Sequence, residues 1–229
     1  MKIALLGYGK MGKLIERAAQ AKGHEIVCRF TSSPADWNEI SNADICIDFS
    51  HAGVVIENLT QCALRGKNVV IGTTGWEEHL EEAKSIADSH GIGVLYGPNF
   101  SLGVHLFLQI LDFSAQLMNR FKEYDVAGLE MHHAQKKDAP SGTALEMCRR
   151  LEKSIERVQQ LDMTAVRVGS IPGTHTVMFD SAFDTITITH QARNREGFAG
   201  GAVEAAQWLL EKKGFYTLDD YLNGVSYAT

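Results

Sequence analysis

The chain opens with "MKIALLGYGKMGKLIERAAQAKG", and this stretch limits its fold more than any other. Lys2 to Leu6 is a short apolar run that stops at Gly7. Met11, Leu14, Ile15, Ala18 and Ala19 then recur at helical spacing until Gly23. The order is strand, glycine turn, helix. Gly7, Gly9 and Gly12 meet the spacing G-x-G-x-x-G. One glycine permits the tight turn, one lets a pyrophosphate approach the backbone, and one allows close packing of helix on strand. The helix start offers N–H groups to phosphate. Alone, the spacing can be only a structural turn. Between a strand and a helix, it predicts dinucleotide binding.

The alternation continues. The pattern predicts strands over residues 25–30, 43–49, 68–71 and 93–96, with helices over 54–64 and 76–90. Such alternation implies a parallel sheet covered on both faces. Ligands of these sheets sit beyond the carboxyl ends of the strands. Small or turn-forming residues gather there: residues 7–12, 49–51, "GTTG" at 72–75 and "GPNF" at 97–100. A carboxylate ending the second strand would grip the ribose 2′-hydroxyl of NAD. Here that end reads "CRFTSS", with Arg29, Thr31, Ser32 and Ser33, and Lys10 sits in the glycine loop. Cations and hydroxyls suit a 2′-phosphate, so NADPH is expected, with NADH tolerated.

The second half has a different rhythm. Residues 101–120 form a long helix pattern, in which Leu102, Leu106, Ile110, Phe113 and Leu117 make an apolar stripe expected to pack in the core. Strands are predicted over 124–132, 165–168, 174–180 and 185–190, and a helix over 141–158. "TITITH" alternates, which suggests a sheet with one buried face. The expected class is α/β: a Rossmann-like parallel-sheet domain over 1–100, then an α+β mixed-sheet domain over 101–199. Helices from about Gly200 onward are expected to pack back onto the first domain.

"EMHHAQKKDAPSGTA", residues 130–144, holds the densest chemistry. Neighbouring strand residues face opposite ways, so His132 and His133 serve one ligand only if the strand ends between them. Pro140 cannot continue a ladder, and Ser141 is a natural N-cap for a helix opening with Gly142, Thr143 and Ala144. Three readings compete. One is a solvated loop before a capped helix. A second is a zinc site from His132, His133 and Asp138, whose spacing matches no familiar set. The third is an anion-binding and proton-transfer site, with Lys136 and Lys137 beside the helix start.

Composition narrows the partners. The net charge of -6 argues against nonspecific nucleic-acid binding. Cys28, Cys46, Cys62 and Cys148 form no CxxC pair and read as reduced thiols. No apolar run approaches the roughly 18 residues of a membrane span, and no signal-peptide pattern is present. A cytoplasmic protein is expected.

Taken together, "GYGKMG", "DICIDFS", "VVIGTTGW", "EMHHAQKKDAPSGTA" and "ITHQARNREGFAGGAVEAAQWL" resemble the bacterial 4-hydroxy-tetrahydrodipicolinate reductase family, along nearly the whole chain. The resemblance implies reduction of a cyclic imine dicarboxylate by NAD(P)H on the diaminopimelate route to lysine, in a homotetramer built by the second domain. It implies cofactor contacts from Gly7, Tyr8, Gly9, Lys10, Met11 and Gly12, from Gly72, Thr73 and Thr74, and from Gly97, Pro98, Asn99 and Phe100. It implies that His132 transfers protons and Lys136 donates one. His133, Gly142 and Thr143 would hold the substrate carboxylates, with Ser141 nearby. This chain departs from the family's frequent G-x-x-G-R-M-G loop by one residue, and it lacks the acid after the second strand. The rivals are another two-domain reductase, such as a semialdehyde dehydrogenase relative, and a non-catalytic NAD(P)H sensor.

Overall fold

The computed structural model describes residues 1–31 and 36–224. The chain divides into two compact units. One joins Met1–Ser101 with the chain from Glu196 onward; the other is Leu102–Arg195.

The first unit is built on six parallel strands. They are β1 (Lys2–Leu6), β2 (Glu25–Phe30), β3 (Ile45–Asp48), β4 (Asn68–Ile71), β5 (Gly93–Tyr96) and β10 (Gly214–Thr217), in the order β10-β5-β4-β3-β1-β2. All four residues are buried in each of β3, β4 and β5. That is why "ICID", "NVVI" and "GVLY" show little polar alternation. Helices α2 (Val55–Ala63) and α3 (Leu80–His90) cover one face; α1 (Lys10–Ala21) and α6 (Glu196–Leu209) cover the other. Asn68 ties the C-terminal segment in. Its side-chain amide donates to the carbonyls of Leu209 at 2.8 Å and Lys212 at 3.1 Å, while its oxygen accepts from Gly93 N–H at 2.7 Å.

Strand β10 was not anticipated; only helices were expected after Gly200. It pairs in parallel with β5, and helix α7 (Leu218–Gly224) follows it. Residues 37–42 form a 3-10 turn before β3, where the sequence pattern suggested nothing regular.

The second unit is a mixed four-stranded sheet, ordered β7-β6-β8-β9. Strand β6 is Asp125–His132, β7 Met163–Arg167, β8 Thr174–Asp180 and β9 Thr185–Gln191. β6 runs parallel to β7 and antiparallel to β8, and β8 runs antiparallel to β9. Helices α4 (Leu102–Met118) and α5 (Gly142–Ser154) pack on one face over Val126, Val177 and Phe179. On the other face, Ala127, Leu129 and Met131 stay half-buried.

The apolar stripe of α4 is a correction. Leu102, Leu106, Ile110, Phe113 and Leu117 face outward, with Phe113 69% exposed. Val104, Phe107, Leu108, Leu111, Ala115 and Met118 fill the core instead. Helix α4 is apolar on two faces, and periodicity picked the wrong one.

Candidate functional site

Each unit carries one half of the expected chemistry. In the first, the glycine loop behaves as its spacing predicts. Gly7 has φ 94°, and a Cβ there would collide with the backbone carbonyl of Phe49. A Cβ on Gly12 would strike the carbonyl of Gly7, so the helix sits tight on the turn. Gly9 caps α1, is exposed, and has open space where a side chain would be. A phosphate can therefore reach the helix start. Gly9, Lys10 and Met11 line a cavity of about 500 Å³ together with Phe49, Ser50, His51, Gly72, Thr73 and Thr74. Gly72 is required there, because a Cβ would enter the Phe49 ring. These residues fit a dinucleotide.

Asp48 organises this cleft and was not anticipated. It is 1% exposed at the end of β3. Its Oδ1 accepts from Ser50 N–H at 2.9 Å and from the hydroxyls of Ser50 at 2.7 Å and Thr73 at 2.8 Å. Its Oδ2 accepts from the Asn58 amide at 2.7 Å. One buried carboxylate thus joins the β3 and β4 ends of the cleft. A polar residue closing an otherwise apolar strand was the available signal.

The other expected cofactor residues are scattered. Tyr8 is half-buried, and its hydroxyl donates to Glu16. Pro98 is exposed, and Asn99 Oδ1 accepts from Ser101 N–H at 2.9 Å. Phe100 is buried, its ring 5.9 Å from that of Phe49, and Gly97 packs against it and Leu218. Thr31 is exposed at the end of β2; Ser32 and Ser33 lie outside the described residues. Arg29 is not a free cation. Its Nε donates to Glu16 Oε2 at 3.1 Å and its Nη2 to Glu16 Oε1. The guanidinium also lies 5.7 Å from the centre of the Tyr8 ring. Arg29 foremost among its neighbours holds the Glu16 carboxyl below its ordinary range. Glu16, from α1, is the carboxylate that engages Arg29.

The second unit gathers residues 130–144 around a buried carboxylate. Strand β6 ends at His132, so the strand does break between the two histidines. His132 is buried and His133 half-buried. Glu130 is fully buried on the same face as His132, two residues back. Its Oε2 lies 2.5 Å from His132 Nδ1. Its Oε1 accepts from Arg167 Nη2 at 2.6 Å and from Ser141 N–H at 3.2 Å. Burial pushes the Glu130 carboxyl up, but Arg167, Ser141 and His132 together outweigh it and hold it below its ordinary range. Burial pushes His132 down despite Glu130.

Arg167 also donates to the Asp138 carbonyl at 2.6 Å, which pins the loop after β6. In that loop Lys136 pairs with Asp138 at 2.8 Å. Ser141 caps α5, accepting from Ala144 N–H at 3.3 Å. It is itself buried, with its Oγ 3.2 Å from His175 Nε2. Gly142 is exposed with open space where a Cβ would stand, and Thr143 is half-buried beside it. An anion can reach the helix backbone at Gly142.

The zinc reading weighed for His132, His133 and Asp138 is the one this geometry supports least. Asp138 serves Lys136. Glu130, His132 and His175 do bring ligand atoms within 4.8 Å of one another, and Arg167 and Ser141 occupy one oxygen of the Glu130 carboxylate. Glu130, Arg167 and His175 were missed in the sequence. Only Glu130 left a signal, through its i, i+2 spacing to His132.

Comparison with known proteins decides the family. The model for "Dihydrodipicolinate reductase, N-terminus" matches residues 1–100, and that for its C-terminus matches residues 103–222. The chain belongs to the dihydrodipicolinate reductase family. It is 38% identical to the 4-hydroxy-tetrahydrodipicolinate reductase of Christiangramia forsetii, over 97% of this chain and 98% of the relative. It is 35% identical to that of Archaeoglobus fulgidus, over 97% of this chain and all of the relative (100%). A dipicolinate-bound dihydrodipicolinate reductase from Paenisporosarcina sp. TG-14 shares the fold, with a TM-score of 0.81 at 22% identity over 95% of this chain and 97% of the other. An aspartate semialdehyde dehydrogenase II from Vibrio cholerae is more distant, at 0.54 and 13% over 92% and 98% of the two chains. A dehydrogenase of that kind needs a reactive thiol. Burial pushes the Cys148 thiol on α5 up, which suits it poorly to attack.

Proposed function

We infer that the chain reduces 4-hydroxy-tetrahydrodipicolinate to tetrahydrodipicolinate on the diaminopimelate route to lysine. Its family membership makes it an NAD(P)H-dependent oxidoreductase. The observation that carries the reading is His132 at a strand end, with Lys136 and an open helix start in the segment that follows. His132 exchanges a proton with the substrate, and Lys136 donates one. His133, Gly142, Thr143 and, through the cap it forms, Ser141 hold a carboxylate. A reduced nicotinamide supplies hydride when bound. No helix is long and apolar enough to cross a membrane among the described residues; we propose a cytoplasmic enzyme. The purified chain should oxidise NAD(P)H only with the condensation product of pyruvate and aspartate semialdehyde. Cofactor binding without that turnover would support the sensor reading instead.

For the cofactor we propose NADPH over NADH, with both accepted. Exposed Lys10 and Thr31 favour a 2′-phosphate, as does Arg29, while Glu16 offsets Arg29. Glu16→Gln should raise the kcat/KM ratio of NADPH to NADH about tenfold, the worth of one charge-assisted contact. It should tighten 2′,5′-ADP relative to 5′-AMP in calorimetry. An unchanged ratio would mean Arg29 points away from the cofactor.

For assembly we propose the homotetramer. Support comes from the half-buried sheet face with Leu129 and Met178, and from the outward stripe of α4. Apolar surface of this kind marks interfaces. Leu129→Glu with Met178→Glu should reduce the mass in light scattering to that of a smaller species. A tetramer that survives both changes would move the interface elsewhere.

A further inference from the structure

Two facts about His132 go beyond its part in the reaction. Its Nδ1 is 2.5 Å from Glu130 Oε2, and its Nε2 faces Gly173, where even a Cβ would come within 3.0 Å. The two atoms form a close ion pair and not an aligned hydrogen bond, and an anion against Nδ1 favours the ring form that carries a proton there. Glu130 is that anion, kept ionised by the two donors on its other oxygen. Arg167 and Ser141 come from β7 and from the start of α5, so three elements hold the carboxylate still.

We propose that Glu130 is a positioning residue which fixes His132 as its Nδ1–H tautomer and leaves Nε2 as the one ring atom able to exchange a proton with substrate. The inference rests on the proposed reaction and names a residue behind its proton carrier. Gly173 keeps the Nε2 side uncrowded. The charged and titratable groups facing His132 are Glu130 on β6, Arg167 on β7, His175 on β8 and Lys136 in the following loop. His175 is pushed down to about 4, mainly by burial, and stays neutral at pH 7. Glu130 is therefore the anion that holds a proton on the ring.

A sign follows for pH. His132 donates from Nε2 only as imidazolium, so turnover falls as pH rises through its titration. Removing the carboxylate removes the largest influence favouring the charged ring, so that limb moves to lower pH.

The test is Glu130→Gln, a change of charge at nearly constant shape. Long-range 1H–15N spectra of the imidazoles, assigned by difference with His132→Asn, should show wild-type His132 with Nδ1 protonated and Nε2 bare. In Glu130→Gln that preference should be lost and the titration should move to lower pH. Turnover should fall about 10²-fold or more, with KM for NADPH unchanged and the alkaline limb of the kcat profile at lower pH. A purely structural role would lower the folded fraction and leave the limb in place, which overturns the proposal. A wild-type ring protonated at Nε2 also overturns it, and needs no variant to fold. Binding of pyridine-2,6-dicarboxylate separates the two claims. If the tautomer is as stated but neither this probe nor the natural dicarboxylate engages the protein, the proposed reaction fails while the positioning by Glu130 stands.

Discussion

His132→Asn should lower kcat by about 10²- to 10⁴-fold, the usual worth of a positioned proton carrier. The dissociation constant for NADPH, read from its fluorescence, should stay where it is. His132 belongs to the second unit, and the cavity at the glycine loop is lined entirely from the first. Asparagine removes the transferable proton and can still accept or donate a hydrogen bond at Glu130. Lys136→Ala should act in the same direction. It leaves Asp138 unpaired, but that carboxylate is exposed and the pair is a surface one, so stability should change by less than about 1 kcal/mol. Activity lost in proportion to cofactor affinity would mean that both residues only hold the fold together.

What could be read from the sequence depended on how local the cause was. The glycine loop and the parallel strands follow from short-range rules: an apolar run, a φ only glycine tolerates, a helical stripe. Gly7 and Gly12 sit where those rules put them. Ser141 was legible as a cap because capping acts within three residues. Helix α4 was misread because its outward face is as apolar as its inward one, and only the sheet beneath decides between them. β10 was missed because "GFYT" lacks the aliphatic run of "NVVI" and "GVLY"; its place beside β5 is held by Asn68, far away in sequence. The same limit hid the partners of His132. Arg167 and His175 reach Glu130 and Ser141 through strand pairing, which no spacing in one sequence reveals. Arg29 was legible as a cation near the cofactor loop, but its pairing with Glu16 on the neighbouring helix was not.

Arg167→Met should give the largest loss of stability, about 3–5 kcal/mol at pH 7, because it strands a buried charge whose partner is removed. Glu130 is fully buried, and with Arg167 gone only Ser141 N–H and His132 would remain on its carboxylate. Methionine keeps most of the bulk, so a packing cavity does not explain the loss. For a chain of this length the deficit corresponds to about 6–20 °C in Tm. The pH dependence separates charge from packing. In the wild type the Glu130 carboxyl lies below its ordinary range, so its stabilisation is present above the unfolded value and lost as pH falls through the lowered one. In the variant, burial dominates and moves the carboxyl upward. The acid then protonates on modest acidification, and a neutral carboxyl needs no cation. The gap between wild type and variant should therefore narrow as pH falls from 7 toward the ordinary carboxylate range, in urea unfolding followed by circular dichroism. A gap of equal size at every pH would assign Arg167 to packing alone. It would also remove the anchor that holds the Glu130 carboxylate against His132.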